Sequence, residues 1–115
     1  LIGGKETYLW KEVIGIIIMR VVFDLDGTIC EEKPTFERAL AKPFPKVVEY
    51  INKLHDEGTY IIIYSARGWA ELVMTENWLK ENGVPYDLLI LGKPIYDVWY
   101  DDRAENLDML VVKYE

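Results

Sequence analysis

Residues 21–28 read VVFDLDGT, an apolar run that ends abruptly in two acids, a glycine and a threonine. The run predicts a buried strand, and the glycine predicts a turn directly after it. Asp24 and Asp26 are two residues apart, so their side chains lie on the same side of an extended chain. The stretch therefore predicts a strand that delivers two carboxylates to one point at its carboxyl end.

Helix and strand patterns alternate along the rest of the chain. Apolar residues at helical spacing between 47 and 54 predict one helix, and a second is predicted over about 69–82. Ile61, Ile62 and Ile63 are consecutive β-branched residues, which is typical of a strand buried on both faces. Strands are predicted at 21–23, 61–63, 88–91, 98–100 and 109–112. The alternation predicts an α/β fold with three layers, Rossmann-like, around a mostly parallel sheet.

Polar residues follow four of these predicted strands. They are Asp24 and Asp26, then Ser65 and Arg67, then Lys93, and last Asp101 and Asp102. Ligands of open parallel sheets bind beyond the carboxyl ends of the strands. We therefore expect the four groups to meet in one crevice.

The chemistry of this set is that of phosphoryl transfer. Crowded carboxylates repel one another unless a cation is present, and Mg²⁺ prefers oxygen ligands. One carboxylate can attack phosphorus, and a second can protonate the leaving oxygen and later activate water. Ser65 can donate a hydrogen bond to a phosphoryl oxygen, and Lys93 can offset its charge.

The same residues resemble the four motifs of the haloacid dehalogenase superfamily. Residues 23–28, Ser65, Lys93 and the Asp101-Asp102 pair follow the order of those motifs, and the likeness runs from Arg20 to about Asn106. It implies that Asp24 is the nucleophile, that Asp26 is the general acid and base, and that Ser65 and Lys93 bind the phosphoryl group. The implied Mg²⁺ ligands are Asp24, the backbone carbonyl of Asp26, and an acid of the Asp101-Asp102 pair, with Asp102 favoured as the direct ligand.

Two features of the sequence narrow the resemblance to a part of the superfamily, the phosphatases without a large cap domain. An acid at Asp26 is similar to the phosphatases of the superfamily, because its true dehalogenases lack one. A folded cap domain needs roughly 40 residues or more, and neither usual insertion place offers that many, so no large cap domain is expected. We predict a hydrolase domain over 19–115 and an N-terminal extension or edge segment over 1–18.

Further residues next to the motifs are expected to contact the substrate. They are Gly27, Thr28, Ala66 and Arg67. The side chain of Arg67 has a second interpretation, because an arginine at this place pairs equally well with a surface acid.

Composition narrows the partners and the compartment. The formal net charge of −7 argues against nucleic-acid binding that depends on contacts to the phosphates. The longest apolar stretch, 13–19, is shorter than the roughly 20 residues of a membrane span. The single cysteine, Cys30, cannot form an internal disulfide, which favours the cytoplasm. A small phosphorylated metabolite, such as a sugar phosphate, is the expected substrate, and homo-oligomer formation stays open.

Two other functions remain as alternatives. One is a nucleic-acid end-processing phosphatase, since Thr75, Trp78 and Leu79 are similar to an element of polynucleotide 3′-phosphatase domains. The other is a non-catalytic, phosphate-sensing regulatory domain. Receiver-like signalling domains lack the second acid two residues after the phosphoacceptor, so Asp26 favours an enzyme.

Overall fold

The structure, a computed structural model, describes residues 19–106. These residues form a parallel sheet with strand order β1-β2-β3. The strands are β1 (Arg20–Phe23), β2 (Tyr60–Tyr64) and β3 (Leu88–Ile90). Parallel strands run in one direction, so their carboxyl ends lie at the same edge of the sheet.

The central strand, β2, pairs with both neighbours over most of its length. Phe23 of β1 is opposite Ile63, and Ile90 of β3 is opposite Tyr64. Ile61 and Ile63 are completely buried, whereas Ile62 between them is only half-buried. The predicted strand is therefore present, with one face fully buried and the other partly buried.

Two α-helices follow β1 and β2 in the chain. The first, α1 (Pro45–Asp56), starts with proline in its first turn, where the missing N–H costs nothing. It buries Val47 and Ile51. The second, α2 (Leu72–Glu81), follows a 3-10 turn at Trp69–Glu71, so the predicted helix over 69–82 begins with a tighter first turn.

The connection between β1 and α1 spans residues 24–44. It contains the turn after β1 and a 3-10 helix, Thr35–Leu40. The buried Trp78 of α2 donates an indole hydrogen bond to the Ala41 carbonyl oxygen at 2.9 Å, which ties this connection to the core. No large cap domain interrupts residues 19–106, and the α/β arrangement is consistent with a Rossmann-like fold, as predicted.

One predicted strand is not formed. Residues 98–100 carry no strand, and Val98 and Tyr100 are largely exposed. The preference of such residues for strands reflects packing on a half-covered sheet rather than the backbone alone, and this segment has no such cover. The predicted strand over 109–112 and the predicted extension over 1–18 lie outside the described residues. Within the described part, no helix is long and apolar enough to cross a membrane.

Candidate active site

Leu25 determines how the two carboxylates after β1 are presented. Its side chain is fully buried, while Asp24 and Asp26 on either side remain partly exposed. Its carbonyl oxygen accepts hydrogen bonds from three successive backbone N–H groups, those of residues 28, 29 and 30, at 3.1, 2.8 and 3.3 Å. Gly27 makes the turn possible with a positive φ of 83°. The alternation predicted from the sequence thus places both acids outside the core.

Asp24 is paired with the cation that follows β3. The Lys93 ammonium lies 2.9 Å from Asp24 Oδ1. The lysine side chain is 9% exposed and that of Asp24 is 41% exposed, so the carboxylate stays open to solvent. The rings of Tyr64 and Tyr96 lie 5.6 and 6.0 Å from the ammonium, at cation–π distance. The lysine is therefore held in place and points its charge at an accessible carboxylate.

Backbone hydrogen bonds bring the end of β3 to the end of β2. The Lys93 N–H donates to the Ser65 carbonyl oxygen at 2.9 Å, and the Gly92 N–H donates to that of Arg67 at 2.8 Å. Gly92 has a positive φ of 78°, and a Cβ there would lie 2.9 Å from the indole nitrogen of Trp69. A glycine is thus required both by the backbone conformation and by the close approach of Trp69.

Asp26 is paired with the cation that follows β2. Arg67 Nε and Nη2 donate to Asp26 Oδ2 and Oδ1 at 2.9 and 2.8 Å, a bidentate geometry. The Arg67 side chain is completely buried and that of Asp26 is 14% exposed. Burial acts to lower the pKa of Arg67, but the hydrogen bonds and charge of Asp26 outweigh it and raise that pKa above its usual value. Removal of one partner from such a buried pair costs about 3–5 kcal/mol.

Thr75 on α2 is a residue whose part in this cluster the sequence did not reveal. Arg67 Nη1 lies 3.0 Å from Thr75 Oγ1, and the threonine is fully buried. Thr75, Trp78 and Leu79 share the buried face of the helix. A polar side chain among buried apolar ones needs a hydrogen-bond partner, and that was the available signal.

The remaining residues that were predicted to bind the substrate differ in their exposure to solvent. Ser65 is buried, and its Oγ accepts the Arg67 N–H at 3.1 Å. Gly27 and Ala66 are exposed, and Thr28 is half-buried. Arg67 was expected to contact substrate or to pair with a surface acid. It pairs with an acid, but that acid is the largely buried Asp26, and the buried guanidinium has no surface to offer a substrate.

The structure does not bring the predicted magnesium ligands together. Asp101 and Asp102 are exposed, and residues 19–106 contain no group of three or more His, Cys, Asp or Glu side chains arranged to hold a metal ion. Asp101 instead accepts hydrogen bonds from the Arg103 backbone N–H at 2.8 Å and the Trp99 indole at 3.2 Å. The Arg103 bond and then the Trp99 bond lower the pKa of Asp101. Because residues 98–100 lie outside the sheet, Asp101 and Asp102 do not follow a strand as expected, and the Mg²⁺ site stays a prediction.

The single cysteine, Cys30, lies next to the cluster. Burial, followed by the charge of Asp26, raises the pKa of Cys30 to about 12, which makes its thiol unreactive.

A shallow surface pocket lies at the opposite end of the sheet, next to the start of β2. It is lined by His55, Gly58, Thr59, Tyr60 and Asp87, none of which is a predicted site residue.

Comparisons with known proteins relate the chain to other structures at the level of fold. No family model matches the sequence, and no curated protein matches it either. A crystal structure of a structural-genomics target from Vibrio cholerae is similar, with a TM-score of 0.67 and 27% identity over 84% of this chain and 97% of that one. A structure of the Pnkp1/Rnl/Hen1 complex has a TM-score of 0.59 and 20% identity over 85% of this chain. A structure of the Pnkp1/Rnl/Hen1 RNA repair complex has a TM-score of 0.57 and 20% identity over 84% of this chain.

The matched part is a minor share of the two repair-complex chains, 35% and 30% of their lengths. At 20% identity the likeness shows a common α/β fold. The Vibrio cholerae structure is matched over nearly its whole length.

The contact between Gly92 and Trp69 yields a prediction. Gly92→Ala should push the indole away, because the new Cβ would lie 2.9 Å from its nitrogen. Gly83 also has a positive φ, but a Cβ there would meet nothing within 4 Å. Each substitution should cost about 1–2 kcal/mol of unfolding free energy for the left-handed backbone. Only Gly92→Ala should also change the tryptophan fluorescence, and that change should vanish in a Trp69→Phe background. An emission spectrum unchanged from wild type would contradict the packing.

Proposed function

We propose that this chain is a phosphatase of the haloacid dehalogenase type, which hydrolyses phosphate monoesters through an aspartyl-phosphate intermediate. The observation that supports it best is that two acids close in sequence differ in their exposure and in their partners. Asp24 is 41% exposed beside the Lys93 ammonium, whereas Asp26 is 14% exposed and gripped by Arg67. Two carboxylates with different surroundings can take different roles in one reaction.

In the first half of the proposed reaction, an Asp24 carboxylate oxygen attacks the phosphorus atom. The bond between phosphorus and the ester oxygen breaks, and that oxygen keeps the bonding electron pair. Protonated Asp26 donates a proton to it. Lys93, whose ammonium lies 2.9 Å from Asp24 Oδ1, is placed to offset negative charge on the phosphoryl oxygens.

In the second half, water attacks the phosphorus atom of the aspartyl phosphate. The Asp26 carboxylate takes a proton from that water, and the bond between phosphorus and the Asp24 oxygen breaks. Inorganic phosphate leaves, Asp24 is again a carboxylate, and Asp26 is again protonated. Over the cycle, two bonds between phosphorus and oxygen form and two break, and Asp26 regains the proton that it donated.

The proposed substrate is a small phosphorylated metabolite, such as a sugar phosphate. The net charge of −7 disfavours long stretches of nucleic-acid backbone, whose binding relies on many Lys and Arg contacts. The absence of a large cap among the described residues leaves the Asp24 carboxylate open to solvent, which suits substrates of several sizes. A requirement for Mg²⁺ is part of the proposal and rests on the sequence alone. It requires the segment with Asp101 and Asp102 to approach Asp24.

Replacement of the nucleophile tests the proposed function. Asp24→Asn keeps an oxygen that can accept the Lys93 hydrogen bond but removes the nucleophile, so kcat should fall by about a hundredfold or more. Release of inorganic phosphate from a panel of small phosphate esters is measured, with circular dichroism as a check of folding. Asp56→Asn, a change of an exposed acid at the end of α1, is the matched control and should keep full activity. A well-folded Asp24→Asn protein with undiminished turnover would refute the assignment.

Calorimetric titration with MgCl₂ tests the metal separately from activity. If Mg²⁺ binds as the sequence predicts, wild type should give a saturable heat that Asp24→Asn and Asp102→Asn both abolish. Asp97→Asn, which changes an exposed acid in the same segment, should leave the heat unchanged. A wild-type titration without saturable heat at millimolar Mg²⁺ would show that the predicted ligand set does not assemble.

A further inference from the structure

We propose that Arg67 is a positioning residue for Asp26 and that Thr75 anchors it, so that the ion pair sets the orientation in which Asp26 accepts a proton from water. The inference rests on the proposed function and assigns Arg67 a role other than substrate binding. It follows from how each nitrogen of one buried guanidinium is used.

All three guanidinium nitrogens of Arg67 have a partner inside the protein. Nε and Nη2 donate to the two oxygens of Asp26 at 2.9 and 2.8 Å, and Nη1 lies 3.0 Å from Thr75 Oγ1 and 3.8 Å from the Met74 sulfur. The side chain is 0% exposed. A guanidinium that is fully covered, with a partner at each nitrogen, has no surface to offer a substrate phosphate.

The same contacts fix the rotation of the Asp26 carboxylate. A planar fork bonded to both oxygens holds the carboxylate in the plane of the guanidinium. Thr75 lies on α2 and is fully buried, so the position of the fork is tied to a packed helix. The orientation of Asp26 is thus determined by the core rather than by the loop that carries it.

The bidentate pair still leaves Asp26 able to act as a base. An ionised carboxylate has about four lone-pair sites, and Arg67 occupies two of them. Asp26 remains 14% exposed, which allows a water molecule to approach it. The unused lone pairs face a direction that the fork determines, so loss of the fork should impair proton transfer from the attacking water more than it impairs substrate binding.

The test is a pre-steady-state measurement on the full chain with an aryl phosphate, whose leaving group departs without help from an acid. In Arg67→Met, attack by Asp24 should remain fast while hydrolysis of the intermediate slows. We expect a burst of aryl alcohol that approaches one equivalent per active site and a kcat lowered by about ten- to a hundredfold. KM should fall together with kcat, because the intermediate accumulates, so kcat/KM and the inhibition constant for inorganic phosphate should be nearly unchanged.

Further variants separate positioning from charge and from general loss of structure. Arg67→Lys keeps the charge but not the fork, and should behave like Arg67→Met. Thr75→Val keeps the pair with Asp26 and removes its anchor, so it should show a smaller defect of the same kind. In an Asp26→Ala background, Arg67→Met should lower kcat no further. The control is Arg38→Met, which removes another Arg–carboxylate pair, with Glu71 at 2.8 Å, and should give no burst.

The outcomes distinguish this inference from the proposed function. A raised KM and weaker inhibition by phosphate, without a burst, would show that Arg67 binds substrate and would overturn the inference alone. Full activity in Arg67→Lys would show that charge suffices and would overturn it as well. A wild-type protein without turnover that depends on Asp24 would overturn the proposed function and this inference together. Thr75→Val provides the same readouts if Arg67→Met does not fold.

Discussion

Two carboxylates at the end of β1 are each held by a cation that follows another strand of the same sheet. Lys93 comes from the end of β3 and reaches Asp24, and Arg67 comes from the end of β2 and reaches Asp26. A carboxylate removed from water without a partner is costly, so these pairs compensate for the crowding of the two acids. The parallel order β1-β2-β3 makes the pairs possible, because it puts three carboxyl ends at one edge. The rest of the site depends on this compensation.

The two pairs differ in kind, and the difference bears on chemistry. Lys93 presents a compact charge to a carboxylate that solvent can still reach. Arg67 presents a rigid fork that is buried and bonded on every nitrogen. A solvent-accessible carboxylate next to a positive charge suits attack on a phosphate group. A carboxylate in a fixed orientation suits proton transfer.

Much of the sheet and helices could be predicted, because their signals are local. Apolar runs and helical periodicity report which face of an element is covered, and β1, β2, β3, α1 and α2 all follow such patterns. The partner of Arg67 could not be predicted, since the choice between Asp26, a surface acid and a phosphate depends on distances across the fold. The strand over 98–100 was predicted wrongly, because short runs of β-branched and aromatic residues look alike whether or not a sheet covers them. The predicted gathering of Asp101 and Asp102 at Asp24 depended on that strand.

The central claim is that Asp24 forms a covalent bond to phosphorus, and chemical trapping tests it directly. The protein is mixed with a phosphate ester, quenched in acid and reduced with borohydride, which converts a phosphorylated aspartate to homoserine. Peptide mass spectrometry then locates the change. The account predicts homoserine at position 24 only when substrate was present. Phosphate release with position 24 unmodified, or homoserine at position 26 instead, would contradict it.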